Sequence, residues 1–296
     1  MNDGYIYSET INQRGVGRRL DAYLAERYRH ASLEEWQAHI IDGRVLLDGA
    51  PRQADTLLRL AQILEWHRPA WQEPYAPLGF AVLYDEGGVL VVHKPAGLPT
   101  MAGGGFLEHT LVHQLRRKHP DASPMHRLGR WTSGAVLCTR TPPAAAAIAA
   151  QFAARSLSKR YRALASGRAA EERFSIDASI GPIAYPPTTT LHAAIHNGRS
   201  ALSHVTLVRQ DAESFLCDVV IETGRPHQIR IHLATSGHPL VGDPLYSAGG
   251  RPAPECTSLP GDSGYHLHAA EIAFDAPGTG ERVIVRAPCP PVLSTT

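Results

Sequence analysis

A chain of 296 residues, 43% hydrophobic and 19% charged, describes a folded globular protein rather than a disordered or fibrous one, and its length accommodates two unequal domains. A net charge of +1 excludes a uniformly basic molecule, so any affinity for nucleic acid has to come from local patches. Cys138, Cys217, Cys256 and Cys289 lie far apart without a CxxC pair, which argues against a zinc ribbon or a disulfide framework and for reduced thiols. The N-terminus lacks the apolar core of a signal peptide, and the Ala-rich run after Thr141 is too short and interrupted to span a bilayer, so a cytoplasmic protein without membrane attachment is expected.

Residues 1–68 read as a small α+β module. Leu20, Tyr23 and Leu24 fall at helical spacing, Trp36, Ile40 and Ile41 mark a second helix, and DGRVLLDGAP reads as turn, short strand and turn. Residues 69–78, within RPAWQEPYAPLG, predict a linker, because repeated Pro halts both helix and central strand. From 79 to 296 short β-like runs dominate: FAVLYD, VLVVHK, AVLCT, RYRALA, SHVTLV, FLCDVVIET, QIRIHLA, and EIAFD with VIVRAP. One helix stands among them, with Thr141 as N-cap, Pro142 and Pro143 at its start and AAAAIAAQFAA behind. Strands outnumber helices without βαβ alternation, which predicts an α+β domain around a largely antiparallel, mixed sheet flanked by helices.

Four segments of this larger domain carry reactive side chains. VLVVHKPAGLPT ends an apolar strand in Lys94 and a stiff Pro/Gly turn. MHRLGRWTSG sets His126, Arg127, Gly129, Arg130 and Thr132 in a loop ahead of an apolar run. In SKRYRALASG, alternation puts Lys159, Tyr161 and Ala163 on one face of a strand. IETGRPHQIRIHLATSGHPLVGDPLY gathers Arg225, His227, Gln228, Arg230, His232, His238 and Asp243; alternation after Gln228 puts Ile229, Ile231 and Leu233 on the core face and Arg230 and His232 on the other. These histidines lack a helical i, i+4 pair or an HxH spacing, so no metal site is expected, and the HxH pair His266 and His268 reads as sheet-surface residues.

In this order and at these separations the four segments resemble the RluA-type family of RNA pseudouridine synthases over residues 79–296: the strand ending in KPAG, an HRL(D)xxTSG loop, a K-x-Y strand after an Ala-rich helix, GR-x-HQIR-x-H and GHP-x-x-GD-x-x-Y. The stretch RRLDAYLAERYRHASLEEWQAHIIDGRVLLDG resembles the small α-L RNA-binding module that often precedes such domains. The resemblance implies the pseudouridine synthase fold and cofactor-free isomerisation of a flipped-out uridine in structured RNA, ribosomal or transfer, with no DNA partner; a monomer is the default expectation. It implies that Arg127 takes the place of the extruded nucleotide, that Tyr161 packs on the uracil and takes part in removing the proton from carbon 5, and that Arg225 sits deep in the pocket as ion-pair partner of the catalytic aspartate. Lys94, His126, Arg130, Thr132, His227, Gln228 and Arg230 are expected to shape the pocket or contact phosphate.

The family nucleophile is the Asp of HRLD, and here that position is Gly129. Glycine can neither attack nor stabilise separated charge, and Arg130 is always protonated and no nucleophile. Three outcomes stay open: a catalytically silent RNA-binding paralogue, rescue by a carboxylate from elsewhere, with Asp243 and Asp85 as candidates, or a modified route. Arg225 without its aspartate would be an uncompensated charge in a partly buried site, so its presence favours an anion in the pocket and an active isomerase. In the first module, Ser32-Leu33-Glu34-Glu35 stands where Ser-Arg is usual. Arg18, Arg19, Arg27, Arg29 and Arg44 remain to form a basic face, from which weak RNA binding or a docking role is expected.

Overall fold

Alternating apolar positions and Gly/Asp turns fold Met1–Glu73 as one unit, and a second unit starts at Pro74, inside the expected linker. In the computed structural model, which describes residues 1–295, the first unit comprises β1 (Tyr5–Thr10), α1 (Leu20–Arg27), α2 (Leu33–Ile41), β2 (Val45–Leu47), β3 (Ala50–Pro51) and β4 (Ile63–Arg68), with sheet order β1-β4-β2-β3. Leu20, Leu24, Trp36 and Ile40 from the helices pack with Val45, Leu47 and Leu64 from the sheet. Ile41, which helped mark α2 in the sequence, is 82% exposed, because Trp36 and Ile40 already share the buried face and Ile41 lies a further 100° or so round the helix. Ser32 and Glu35 form a reciprocal capping box, the Ser32 hydroxyl accepting from the Glu35 N–H and the Glu35 carboxylate from the Ser32 N–H. The carboxylate of Glu35 thus serves to start α2.

The second unit follows with β5 (Ala81–Glu86), β6 (Val89–Lys94), α3 (Leu111–Lys118), β7 (Ser123–Pro124), β8 (Ser133–Thr139), α4 (Pro142–Ala154), β9 (Ser158–Ser166), β10 (Arg173–Ile176), β11 (Ile180–Tyr185), β12 (Thr189–Ala194), β13 (Ser203–Gln210), β14 (Ser214–Ile221), α5 (Gln228–Thr235), β15 (Leu267–Asp275) and β16 (Arg282–Arg286). A ten-stranded sheet runs β10-β13-β14-β9-β15-β8-β6-β5, with β16 on β15 and β7 on β8; β11 and β12 form a separate hairpin. Among the described strands only β8 and β15 pair in parallel. β6 and β8 are buried on both faces, which is why VLVV and AVLC read as continuous apolar runs: Leu90, Val92, Val136 and Cys138 join one core with Leu111 and Leu115 of α3, while Val89, Val91, Ala135 and Leu137 join the other with Ile148 of α4. α4 begins as its sequence requires, the Thr141 hydroxyl accepting from the Ala144 N–H.

QIRIHLA, expected as a strand, is instead the helix α5. It is buried all round: Ile229 is 5% exposed, Arg230 2%, and Ile231, His232 and Leu233 0%. His232 is accommodated by the Ser203 hydroxyl and the Ala178 carbonyl, each 2.9 Å from a ring nitrogen. A helix without a solvent face loses its 3.6-residue signature, and chance alternation of Ile and basic residues then imitates a strand. No described helix is long and apolar enough to cross a membrane.

The parallel contact between β8 and β15 is short, with His268 opposite Ser133 and Ala269 opposite Gly134. Gly134 has φ +112, and a Cβ there would stand 2.3 Å from the Ala269 carbonyl oxygen. The Ser133 hydroxyl bonds His268 Nδ1 at 2.8 Å, so His268 is a buried register pin rather than a sheet-surface residue. Gly134→Ala is expected to lower stability by about 2–4 kcal/mol in urea unfolding, through backbone strain and overpacking together; a variant as stable as the wild-type protein would contradict this.

Candidate active site

Because β8 and β15 run parallel, the segments leading into them, 126–132 and 264–266, emerge at the same end of the sheet. β9 flanks β15 from the other side, with Tyr161 opposite Ala269. A cavity of about 100 Å³ opens there. The loop before β8 lines it with Arg127, Leu128, Gly129 and Thr132; β9 contributes Tyr161, the end of β14 Ile221, the turn into α5 Arg225 and His227, α5 Gln228 to Arg230, and the entry to β15 Tyr265 and Leu267. Sequence segments up to about 140 residues apart, carrying Arg127, Gly129, Tyr161, Arg225 and Tyr265, thus meet at one point.

The deepest charge is not where it was expected. Arg225 is only half-buried and donates from Nε to the Ser200 carbonyl at 3.0 Å, so the uncompensated buried charge inferred from the sequence does not exist at that position. The buried cation is Arg230, which donates Nε and Nη2 to the two carboxylate oxygens of Asp243 at 2.7 Å each, with side chains only 3% and 1% exposed. Asp243 also accepts the N–H groups of Leu245 and Tyr246. Asp243 is therefore spent on fixing Arg230 rather than free to act as the rescue carboxylate expected from the sequence. Asp85, the other carboxylate considered, is paired with Arg140 on the β5 side of the sheet and does not line the cavity. No carboxylate lines the cavity among the described residues.

Several other expected contacts are structural. Lys94 is fully buried and donates to the carbonyls of Pro95, Leu98 and Arg130 at 2.9, 2.7 and 3.0 Å, closing the turn after β6, and so reaches no phosphate. His126 turns away from the cavity: its Nε2 accepts the Leu137 N–H at 3.0 Å and its ring faces Phe152. Arg130 also lies outside the lining, donating to the Gly97 carbonyl and covering the Phe106 ring at 4.6 Å. Gln228 reaches the cavity wall but commits its amide to Thr223, Leu202, Ser203 and the Arg225 N–H. His227 contacts the Tyr246 hydroxyl through Nδ1 at 2.7 Å, and that hydroxyl donates to the His192 carbonyl, so Nδ1 is the donor. Burial pushes its pKa down to about 3, which favours the neutral imidazole.

Tyr161 is 8% exposed, and burial pushes its phenol up to about 12, which keeps it protonated and suits packing better than proton abstraction. Tyr265, which the sequence did not single out, is 5% exposed; its hydroxyl lies 3.3 Å from Thr132 Oγ1, and the Arg230 guanidinium sits 4.2 Å from its ring centre. Its place is set by backbone: Gly264 and Gly242 touch so closely that a Cβ on either would fall within 2.4 Å of the other's carbonyl oxygen, which joins the segment bearing Tyr265 to the one bearing Asp243.

Residues 88–235 match the family described as RNA pseudouridylate synthase. An uncharacterized RNA pseudouridine synthase of Synechocystis is 37% identical over 278 residues, covering 93% of this chain and 95% of its own. The ribosomal large subunit pseudouridine synthase D of Xanthomonas campestris is 34% identical, covering 97% of this chain and 90% of that one. Among solved structures, human RNA Pseudouridylate Synthase Domain Containing 1 superposes with a TM-score of 0.59 at 26% identity, over 75% of this chain and 89% of the human one. The chain belongs to the RNA pseudouridine synthase family, and its second unit has that family's α+β fold.

Two outcomes follow from the electrostatics. Asp243→Asn leaves Arg230 buried without its counter-charge and is expected to cost about 3–5 kcal/mol in urea unfolding; an unchanged stability would mean that Asp243 is not a structural partner. For His126, the folded value of about 3 lies below the ordinary 6.5, so between them the unfolded chain binds the extra proton. Stability present above pH 6.5 is therefore lost as the pH falls towards 3, at up to about 1.4 kcal/mol per pH unit. His126→Gln should show a shallower loss than the wild-type protein over that range, and parallel curves would contradict the assignment.

Proposed function

We propose that the protein isomerises a uridine everted from structured RNA to pseudouridine in this cavity. The observation that carries the reading is the convergence of Arg127, Tyr161 and Arg225 on one cleft whose lining, among the described residues, holds no carboxylate, while Arg230 in its wall is already paired with Asp243. On a chain of net charge +1, that local excess of guanidinium is what a polyanion would find. Exposed Arg127 at the rim fills the gap left by the extruded nucleotide, offsetting an unstacking cost of roughly a few kcal/mol. Tyr161 offers its ring to the uracil, and half-exposed Arg225 meets the flanking phosphate rather than a buried aspartate. The likeness to a ribosomal large subunit enzyme supports ribosomal RNA as the substrate, with transfer RNA the other candidate.

The first unit adds little to affinity in this reading. Arg18, Arg19, Arg27 and Arg44 are paired with Glu26, Asp21, Glu9 and Asp42, so the basic face expected there is largely neutralised by its own neighbours. The absent carboxylate favours a second reading, a silent RNA-binding paralogue, which would retain RNA in a salt-dependent way without changing it.

Carbodiimide labelling and mass analysis of cellular RNA, with and without the gene, separates the two. At least one uridine site is expected to lose its label upon deletion, and no change at any site would contradict the isomerase. Arg127→Ala should slow conversion by about 100-fold, the factor that corresponds to a flipping cost of some 3 kcal/mol; a rate within a factor of about two would remove Arg127 from the flipping step.

A further inference from the structure

A Cβ built on Gly129 would stand 3.0 Å from the Tyr265 hydroxyl oxygen and 3.4 Å from Thr132 Oγ1. A side chain at position 129 would therefore press on the Tyr265 hydroxyl from its first carbon onward. The side chain missing from one loop is matched by a side chain filling the gap from the neighbouring one.

We propose that the Tyr265 hydroxyl takes over the role of the absent aspartate, acting as the nucleophile towards the anomeric carbon of the everted uridine. This rests on the isomerase reading above. Other oxygens near Gly129 are less suited: Thr132 carries an aliphatic hydroxyl, and Asp243 is held by Arg230. A phenol is a weak nucleophile unless negative charge developing on it is stabilised. Arg230, fixed by Asp243, lies 4.2 Å from the Tyr265 ring centre, so a preorganised guanidinium stands beside the ring into which that charge delocalises.

The step balances without any further reactant. As the C1′–N1 bond breaks, its electron pair moves into the uracil ring, the phenolic proton passes to uracil O2, and the phenol oxygen bonds to C1′. The freed uracil turns, C5 attacks C1′, and the phenol oxygen leaves with its bonding pair and collects the proton from C5. The proton on O2 moves to N1 as the ring regains its lactam form. Each displacement inverts C1′, so the two together retain the β configuration. Tyrosine nucleophiles at an anomeric carbon have a precedent in glycoside hydrolysis.

The test uses the full-length protein and total RNA from a strain lacking the gene, measuring pseudouridine formation at single turnover and RNA retention on a filter. Tyr265→Phe keeps the ring against Arg230 and removes only the oxygen, so it should lower the rate about 1000-fold with RNA affinity unchanged and the protein still folded at the assay temperature. Gly129→Asp combined with Tyr265→Phe, where the lost hydroxyl clears room for the carboxylate, should recover activity relative to Tyr265→Phe alone. A Tyr265→Phe enzyme within about threefold of an active wild-type enzyme would overturn the proposal and leave the isomerase reading standing. A wild-type protein that modifies no uridine would overturn both.

Discussion

Two residues of parallel pairing, His268 opposite Ser133 and Ala269 opposite Gly134, decide what this molecule can bring together. Antiparallel neighbours would send the entry loops of β8 and β15 to opposite ends of the sheet. Running parallel, the two strands put Gly129 and Tyr265 side by side. The junction is unforgiving, because Gly134 gives the Ala269 carbonyl its room and the Ser133–His268 bond fixes the register in a region from which water is excluded.

Behind that junction lies a second buried element, the Arg230–Asp243 pair. Burying two charges is costly and contributes little net stability. What it provides is position: the carboxylate holds a guanidinium 4.2 Å from the Tyr265 ring centre, while the contact of Gly242 with Gly264 fixes the two segments to one another. Arg230 is thus built into the wall, whereas Arg127 and Arg225 remain nearer solvent, where the proposed RNA substrate would meet them. The cleft formed in this way includes position 129, where the chain carries no side chain at all.

Much of this was legible from the sequence, and for identifiable reasons. The cap and prolines of α4 are local chemistry, and the alternation of β9 records one buried face. The continuous apolar runs of β6 and β8 record burial on both faces. α5 was misread because a helix enclosed by protein keeps no periodic polar face, and Arg230 and His232 meet their partners inside. Asp243 looked available because nothing in VGDPLY shows that Arg230 will face it. Lys94 and His126 looked like ligands of a substrate because their acceptor carbonyls and donor N–H are backbone groups, invisible in a string of side chains. Tyr265 carried no signal of its own; its meaning depends on a glycine 136 positions earlier, and only the folded sheet makes them neighbours.

The most direct measurement is a crystal structure of the protein with its RNA substrate carrying 5-fluorouridine at the target, since fluorine in place of hydrogen on C5 stops the final proton loss. The account predicts the base inside the cleft against Tyr161, with C1′ bonded to the Tyr265 oxygen or within about 3.5 Å of it. A base lying outside the cleft, or a carboxylate of the chain brought to C1′ in place of that oxygen, would contradict it.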